Sequence, residues 1–365
     1  LWAGAEVMLF TLAKTLHTEL NTQVSIVLLN HGILEQRLSN CGISVHVLDE
    51  SRLSSFQILQ QLNKIIDGLK PDVIHTHRIK ENIIGSIAAL YNHRIPSLRT
   101  VHGAPEHSPS WYQFSKNMIL SLNWFCGQFL QKKVIAVSDD LAYILRKQIS
   151  ANKIQVIENG VDVENILADR QNHTKAFTKS NRIKIGLIGR LVPVKRVDIF
   201  IRTAHFIQHQ HQKLNFVFYI FGDGPLRDEL ESLSHELNTD GIVRFEGHVE
   251  NIIEEIQKLD ILLMTSDHEG LPMVLLEAMA INTPIISHSV GGIPMLFNYG
   301  RCGILVNEHT PSGYAEAILK LVNTPQLAQE MTTSAFERVK NDYSADNNAS
   351  AYKSVYQSLI QRHTN

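Results

Sequence analysis

Two carboxylates, Glu269 and Glu277, flank Gly270, Leu271, Pro272 and Met273 within the stretch 266–280. The run ahead of it, 260–265, is short and largely apolar, as expected of a strand buried on both faces. Gly270 breaks that pattern, and Pro272 is expected at the first helical position, where its fixed φ fits and its missing N–H is no loss. The residues from Met273 onward are good helix formers. A strand, a tight loop and a helix result, with the helix N-terminus opening at the strand's carboxyl end. The free N–H groups near Gly270 to Met273 and the helix dipole favour an anion there. Glu277 falls about one and a half turns into the helix, roughly 7–8 Å along its axis. Two carboxylates beside an anion repel it unless they accept hydrogen bonds from something else, and sugar hydroxyls are donors. A sugar–diphosphate–ribose would place one sugar on each side of its phosphates. The competing reading is a solvated helix charge and an ordinary loop residue.

Other strand ends carry compatible chemistry. Gly189-Arg190 follows a strand and Lys195 lies shortly after; an arginine fork and a lysine point charge suit a diphosphate, although either alone also reads as a surface cation. Gly222, Asp223 and Gly224 form a glycine-rich turn, too short for the dinucleotide fingerprint. His102 ends a strand before Gly103 and can hydrogen-bond a hydroxyl or developing charge; a structural histidine is the alternative. His75, His77 and His268 rank lower. Gly291-Gly292 can bring backbone N–H groups to a ligand or simply turn the chain.

Positioning these loops requires alternating strands and helices, which the pattern supplies. Strands are expected at 23–29, 45–48, 72–75, 97–101, 133–137 and 155–157, separated by helices such as the amphipathic 55–69. The polar, aperiodic stretch 168–182 reads as an interdomain linker. Alternation then resumes through strands at 183–188, 216–221, 243–245, 260–265 and 285–287. The fold class is therefore α/β, with two doubly wound, Rossmann-like domains whose sheet edges would face each other across a cleft. Residues 1–170 would form the first, 183–345 the second, and 346–365 a helix packing back on the first.

The chain has 365 residues, 44% hydrophobic and 19% charged, with net charge −2, ordinary values for a soluble globular protein. Nothing in that balance favours nucleic acid. Three scattered cysteines fit free thiols in a reducing compartment. No metal-ligand spacing is visible among the 18 histidines, and no run is long enough to span a membrane. The opening Leu1-Trp2-Ala3-Gly4-Ala5-Glu6 looks like a loop entering a helix, so a preceding first strand is expected to be missing.

In order along the chain stand Gly-Arg-Leu-x3-Lys (189–195), Phe-Gly-Asp-Gly-Pro (221–225), Glu-Gly-Leu-Pro-x4-Glu-Ala-Met-Ala (269–280) and Gly-Gly-Ile-Pro (291–294). With Glu158 to Asp162, Ser138 and Thr100 to Gly103, the chain resembles the family 4 glycosyltransferases, retaining enzymes of the GT-B fold. The resemblance implies a sugar transfer from a nucleotide donor, a UDP- or GDP-sugar, to a glycan or lipid-linked acceptor, with no metal or other cofactor. Arg190 and Lys195 would hold the diphosphate and stabilise the leaving group. Glu269 would contact the transferred sugar, and Glu277 would bind the ribose. The segment Gly270, Leu271, Pro272 and Met273 would border the phosphate, with its backbone N–H groups as donors, other than Pro272, which has none. Gly222, Asp223 and Gly224 would border the base, and His102 would face the sugar from the other domain. Gly4 belongs to a loop that lies under the donor phosphates in the family, where Gly-Gly-x-Glu is usual. Val197 stands for a usual glycine after the lysine, and Ile281-Asn282 for a small glycine-containing pair.

Two other functions remain open from sequence: a nucleotide-sugar-binding protein without turnover, and a sugar-nucleotide epimerase on the same fold. By analogy with bacterial relatives the acceptor would belong to cell-surface polysaccharide or glycolipid synthesis. The aromatic, apolar stretch 111–133, ending in lysines, reads either as a membrane-surface contact or as a buried helix pair. The expected location is the cytoplasm, with the inner face of the membrane as a peripheral site.

Overall fold

A computed structural model describes residues 4–92, 94–103, 114–168, 182–211 and 214–364. It divides into two compact units, residues 1–160 with 345–365, and residues 161–344.

The first unit begins with helix α1 (Gly4–Thr18), then β1 (Ser25–Leu28), α2 (Ile33–Asn40), β2 (Ser44–Val47) and α3 (Ser55–Leu69). Helix α3 starts where the amphipathic stripe begins because Ser54 and Gln57 form a reciprocal capping box, which satisfies two orphan backbone donors. It stops at Lys70, which adopts the left-handed conformation. There follow β3 (Ile74–Thr76), α4 (Ile79–Tyr91), β4 (Ser97–Val101), α5 (Phe114–Phe125) with a π-helical turn at Cys126–Leu130, β5 (Lys133–Ala136), α6 (Asp139–Arg146) and β6 (Ile154–Val156). Strands β3, β4, β5 and β6 form a parallel sheet in that order, and β1 pairs in parallel with β2 alone. A cavity of about 780 Å³ lies between the edges of β1 and β3, lined by side chains such as Ile26, Leu28, Ile74 and Ile84.

The chain leaves this unit after Gly160. Helix α7 (Val163–Ala168) packs on a helix of the second unit, and Val161 N–H donates to the Tyr343 carbonyl at 2.9 Å. Residues 161–168 thus fold with the second unit, whereas the sequence pattern assigned them to the first; tertiary hydrogen bonding, invisible in local periodicity, sets the boundary. The rest of the expected linker, 169–181, lies outside the described residues.

The second unit runs through β7 (Ile183–Ile188), a 3₁₀ turn at Pro193–Lys195, α8 (Val197–Gln210), β8 (Phe216–Phe221), α9 (Arg227–Glu236), β9 (Val243–Gly247), α10 (Ile252–Lys258), β10 (Ile261–Met264), α11 (Met273–Ala280), β11 (Ile285–His288), α12 (Ile293–Leu296), β12 (Ile304–Val306), α13 (Pro311–Asn323) and α14 (Pro325–Asp342). All six strands are parallel, in the order β12-β11-β10-β7-β8-β9. Phe200, Phe218, Ile185 and Tyr314 are fully buried between sheet and helices. The order reverses direction between β7 and β10. In open α/β sheets that switch point opens a crevice at the strand carboxyl ends, because the flanking connections run to opposite sides.

The chain ends in α15 (Ala345–Thr364), which belongs to the first unit and packs along α1. Its Lys353 donates to the Leu20 carbonyl, and Tyr352 and Tyr356 reach Thr100 and His75 of the first sheet.

Candidate active site

The loops after β7 and β10 are the two edges of the switch point in the second unit. Lys195 sits in the 3₁₀ turn after β7, and its Nζ donates to Glu269 Oε1, in the loop after β10, at 2.5 Å. Both side chains are largely buried, 23% and 10% exposed, so this pair is less screened than a surface bridge. Arg190, on the same loop as Lys195, is exposed and makes no side-chain hydrogen bond or ion pair to a described residue.

Glycines allow these loops to touch. Gly222 has φ +136, and a Cβ there would lie 1.9 Å from the Gly189 carbonyl oxygen. A Cβ on Gly224 would come within 2.5 Å of the Leu191 oxygen. Leu191 N–H donates to the Asp223 carbonyl at 3.0 Å. Gly291, with φ +55, presses against the Glu269 backbone in the same way, its Cβ being 1.8 Å from that carbonyl oxygen. The Gly292 N–H donates to the Gly270 carbonyl at 3.1 Å, so that donor joins two loops; it is not offered to a ligand. Asp223 is exposed, and its carboxylate accepts the Gly224 N–H at 2.7 Å.

Helix α11 begins at Met273, with Pro272 as its N-cap at φ −72, ψ 127. Pro272 therefore stands one residue before the helical position expected from sequence: its extended ψ turns the chain, and its carbonyl accepts the Leu275 N–H at 3.2 Å. Leu271, Met273 and Gly270 are buried. Glu277, further along α11, is 6% exposed. Burial pushes its carboxyl up to about 7, because a carboxylate is poorly solvated there. It hydrogen-bonds to no described residue.

The first unit holds the other candidates. His102 follows β4, and its Nε2 lies 3.2 Å from His77 Nδ1, the two rings stacked. His77 packs on His75, whose Nδ1 and Nε2 meet Tyr356 Oη at 2.7 Å and Thr100 Oγ1 at 2.9 Å. Desolvation lowers all three imidazoles, His75 to about 3 and His102 to about 4, and His77 well below its usual value. All three are neutral at physiological pH. His75 and His77, ranked low from sequence, thus belong with His102; residues two apart on a strand share a face, which was the available signal. Gly4 begins α1 and is exposed, and Glu6 beyond it pairs with Arg78.

The residue with positive φ beside the lysine is Arg196, at +47, while Val197 is buried in the first turn of α8. The glycine-like position is therefore one residue earlier than the sequence comparison placed it. Asn282 has φ +58, a conformation that asparagine tolerates better than most residues. Sequence reasoning missed Arg196, Asp267 and His309. Arg196 approaches Asp267 at 3.3 Å, and His309 Nε2 lies 3.2 Å from the same carboxylate. No group of three or more His, Cys, Asp or Glu side chains is placed to hold a metal among the described residues.

Comparison with known proteins adds an independent line. Residues 2–165 match the family model described as Glycosyltransferase Family 4, and residues 182–324 match Glycosyl transferases group 1. The UDP-Gal:alpha-D-GlcNAc-diphosphoundecaprenol alpha-1,3-galactosyltransferase of Escherichia coli is 24% identical over 319 residues, 85% of this chain and 81% of that protein. The N-acetyl-alpha-D-glucosaminyl L-malate synthase of Bacillus anthracis is 27% identical over 297 residues, 80% and 75% of the two chains. The crystal structure of Anabaena HepE in complex with UDP-glucose superposes with a TM-score of 0.82 at 21% identity, covering 98% of this chain and 97% of that one; at that identity the likeness speaks to fold.

Proposed function

The chain belongs to the family 4 glycosyltransferases, and on that premise we propose that it moves a sugar from a UDP- or GDP-sugar to a glycan or lipid-linked acceptor, with retention at the anomeric carbon. The observation that carries the donor assignment is the convergence of Lys195, Glu269 and the N-terminus of α11 at the switch point between β7 and β10. A diphosphate leaving group gains negative charge as its bond to the anomeric carbon breaks. Lys195 and the α11 N–H groups stabilise that charge, and a preorganised donor need not reorganise to do so. The donor phosphate draws the ammonium from Glu269, whose carboxylate then accepts from a sugar hydroxyl. Exposed Arg190 supplies a fork for the outer phosphate. Glu277 takes the ribose hydroxyls, and Gly222 to Gly224 border the base. His102, neutral in the first unit, keeps an imidazole able to donate or accept a hydrogen bond. The uridine in the names of the galactosyltransferase and of the HepE complex favours a UDP-sugar.

Thermal shift with a donor panel tests the site, since a ligand that binds only the folded state raises its stability. Lys195→Ala is expected to remove most of the shift produced by the best donor. Equal shifts in parent and variant would place the diphosphate elsewhere. Release of nucleoside diphosphate only when acceptor is present separates transfer from binding without turnover, and an altered sugar on an intact donor would mark an epimerase. An inverted linkage in the NMR spectrum of the product would refute retention.

The acceptor side includes a membrane contact in this proposal. Met118, Ile119, Leu122, Trp124, Phe125 and Phe129, on α5 and its π-helical turn, are exposed, which disfavours the buried helix pair. Trp124 donates to the Gln148 carbonyl, beside Lys147 of the α6 end. No helix among the described residues is long and apolar enough to cross a membrane. An amphipathic face with flanking cations instead suits an anionic lipid surface. Co-sedimentation with vesicles containing phosphatidylglycerol is expected for the parent and strongly reduced for Trp124→Ser with Phe129→Ser; equal pelleting would refute the contact.

A further inference from the structure

We infer that Arg196 and Asp267 form a clamp that sets the spacing between Lys195 and Glu269, so that both are positioning residues for the nucleotide-sugar donor, a role that rests on the donor-site reading above. Arg196 immediately follows Lys195 in sequence, and Asp267 lies two residues ahead of Glu269. The Arg196 guanidinium places Nε and Nη2 each 3.0 Å from an oxygen of Asp198, and Nη1 3.3 Å from Asp267 Oδ1. One planar fork thus joins the first turn of α8 to the loop after β10, which a lysine point charge cannot do in two directions.

The backbone around this fork is tied in parallel. Buried Thr265 donates its hydroxyl to the carbonyls of both Lys195 and Arg196 at 3.0 Å, and Asp267 N–H donates to the Val194 carbonyl at 2.8 Å. Half-buried His309 flanks Asp267 from the far side, its ring packed 3.9 Å from His288, whose Nδ1 lies 2.9 Å from the Ser266 carbonyl oxygen. Every one of these contacts joins a residue adjoining Lys195 to one just ahead of Glu269, or braces that joint.

Arg196 itself is held against its backbone preference. Its φ of +47 is a conformation that glycine adopts freely and arginine rarely does. The side chains of its ion pairs are between 34% and 47% exposed, and such pairs contribute little to global stability. Replacing it by glycine therefore relieves the backbone while releasing the clamp. Folding stability and donor binding should then respond differently, which a merely structural role would not produce.

The test is a double-mutant cycle on Arg196→Gly and Asp267→Ala, read by calorimetric titration with UDP and with GDP, alongside the melting temperature. Each single variant is expected to weaken nucleotide binding about five-fold, and the double variant no more than either, because residues acting as one unit are not additive. Melting temperatures should stay within about 2 °C of the parent. If Asp267→Ala binds nucleotide more tightly, Arg196 is itself a phosphate ligand and the clamp is refuted. Unchanged affinity in both variants, while Lys195→Ala binds at least ten-fold more weakly, would overturn the clamp and leave the donor site standing. Unchanged affinity in Lys195→Ala as well would overturn both.

Discussion

At pH 8, Glu277→Gln is expected to melt several degrees above the parent and yet bind the nucleotide donor about ten-fold more weakly. The stability gain follows from burial. Glu277 titrates near 7 in the folded protein against 4.5 in the absence of burial. Between those values the folded state holds a proton that the unfolded state has released, so stability falls as pH rises from about 4.5 through 7. Above pH 7 the accumulated penalty is on the order of 3 kcal/mol, and glutamine, nearly isosteric and neutral, does not incur it. At pH 5.5 the folded carboxyl is neutral but the unfolded one is already ionised, so about 1.4 kcal/mol of the penalty remains. The gap in melting temperature should then shrink to less than half, closing only below about pH 4. The affinity loss follows from chemistry: an ionised carboxylate accepts both ribose hydroxyls, and hydrogen bonds to a charged group contribute about 1.5–3 kcal/mol each. Donor affinity in the parent should accordingly rise with pH through about 7, and in the variant stay flat. Scanning calorimetry and titration at the two pH values measure both. A variant that melts below the parent at pH 8 would refute the burial penalty, and one that binds donor equally would remove Glu277 from the site.

Acidification should unfold the first unit before the second. His75, His77 and His102 are buried against one another with lowered affinity for protons, and no carboxylate among the described residues pairs with them. The unfolded chain takes up these protons near pH 6.5, whereas the folded unit resists until about 4 at His102 and about 3 at His75. The folded pKa values are depressed, so the unfolded state binds more protons throughout that window, and stability is lost as pH falls from 6.5 toward 4. Each histidine contributes up to about 1.4 kcal/mol per pH unit. The element released should include α15, because Tyr356 and Tyr352 join it to His75 and Thr100. Hydrogen exchange followed by mass spectrometry at pH 7 and pH 5, corrected for intrinsic rates, resolves the two units separately. Protection in α15, β3 and β4 should collapse by pH 5 while β7 and β10 retain theirs. His75→Gln with His77→Gln should blunt the effect; an unaltered pH response in that double variant would trace the acid sensitivity to other groups.

Local chemistry in the chain was enough to mark the repeated strand–helix units and the loops that matter. The boundaries of α3 and β4 match the expected ranges, and for α3 the reason is local: the Ser54–Gln57 box fixes its start from neighbours in sequence. Lys195, Glu269 and the opening of α11 were likewise visible, since glycine, proline and charge at a strand's end constrain the backbone there.

What local pattern could not contain was strand order. Only the β12-β11-β10-β7-β8-β9 arrangement makes β10 a neighbour of β7 and brings Glu269 onto Lys195, 74 positions earlier. The same holds for the burial that raises Glu277, the register that sets His77 beside His102, and the left-handed turn that holds Arg196 against Asp267. Those properties belong to pairs of residues far apart along the chain. Their energies are settled by which surfaces meet in the folded protein, and no stretch of sequence taken singly carries that information.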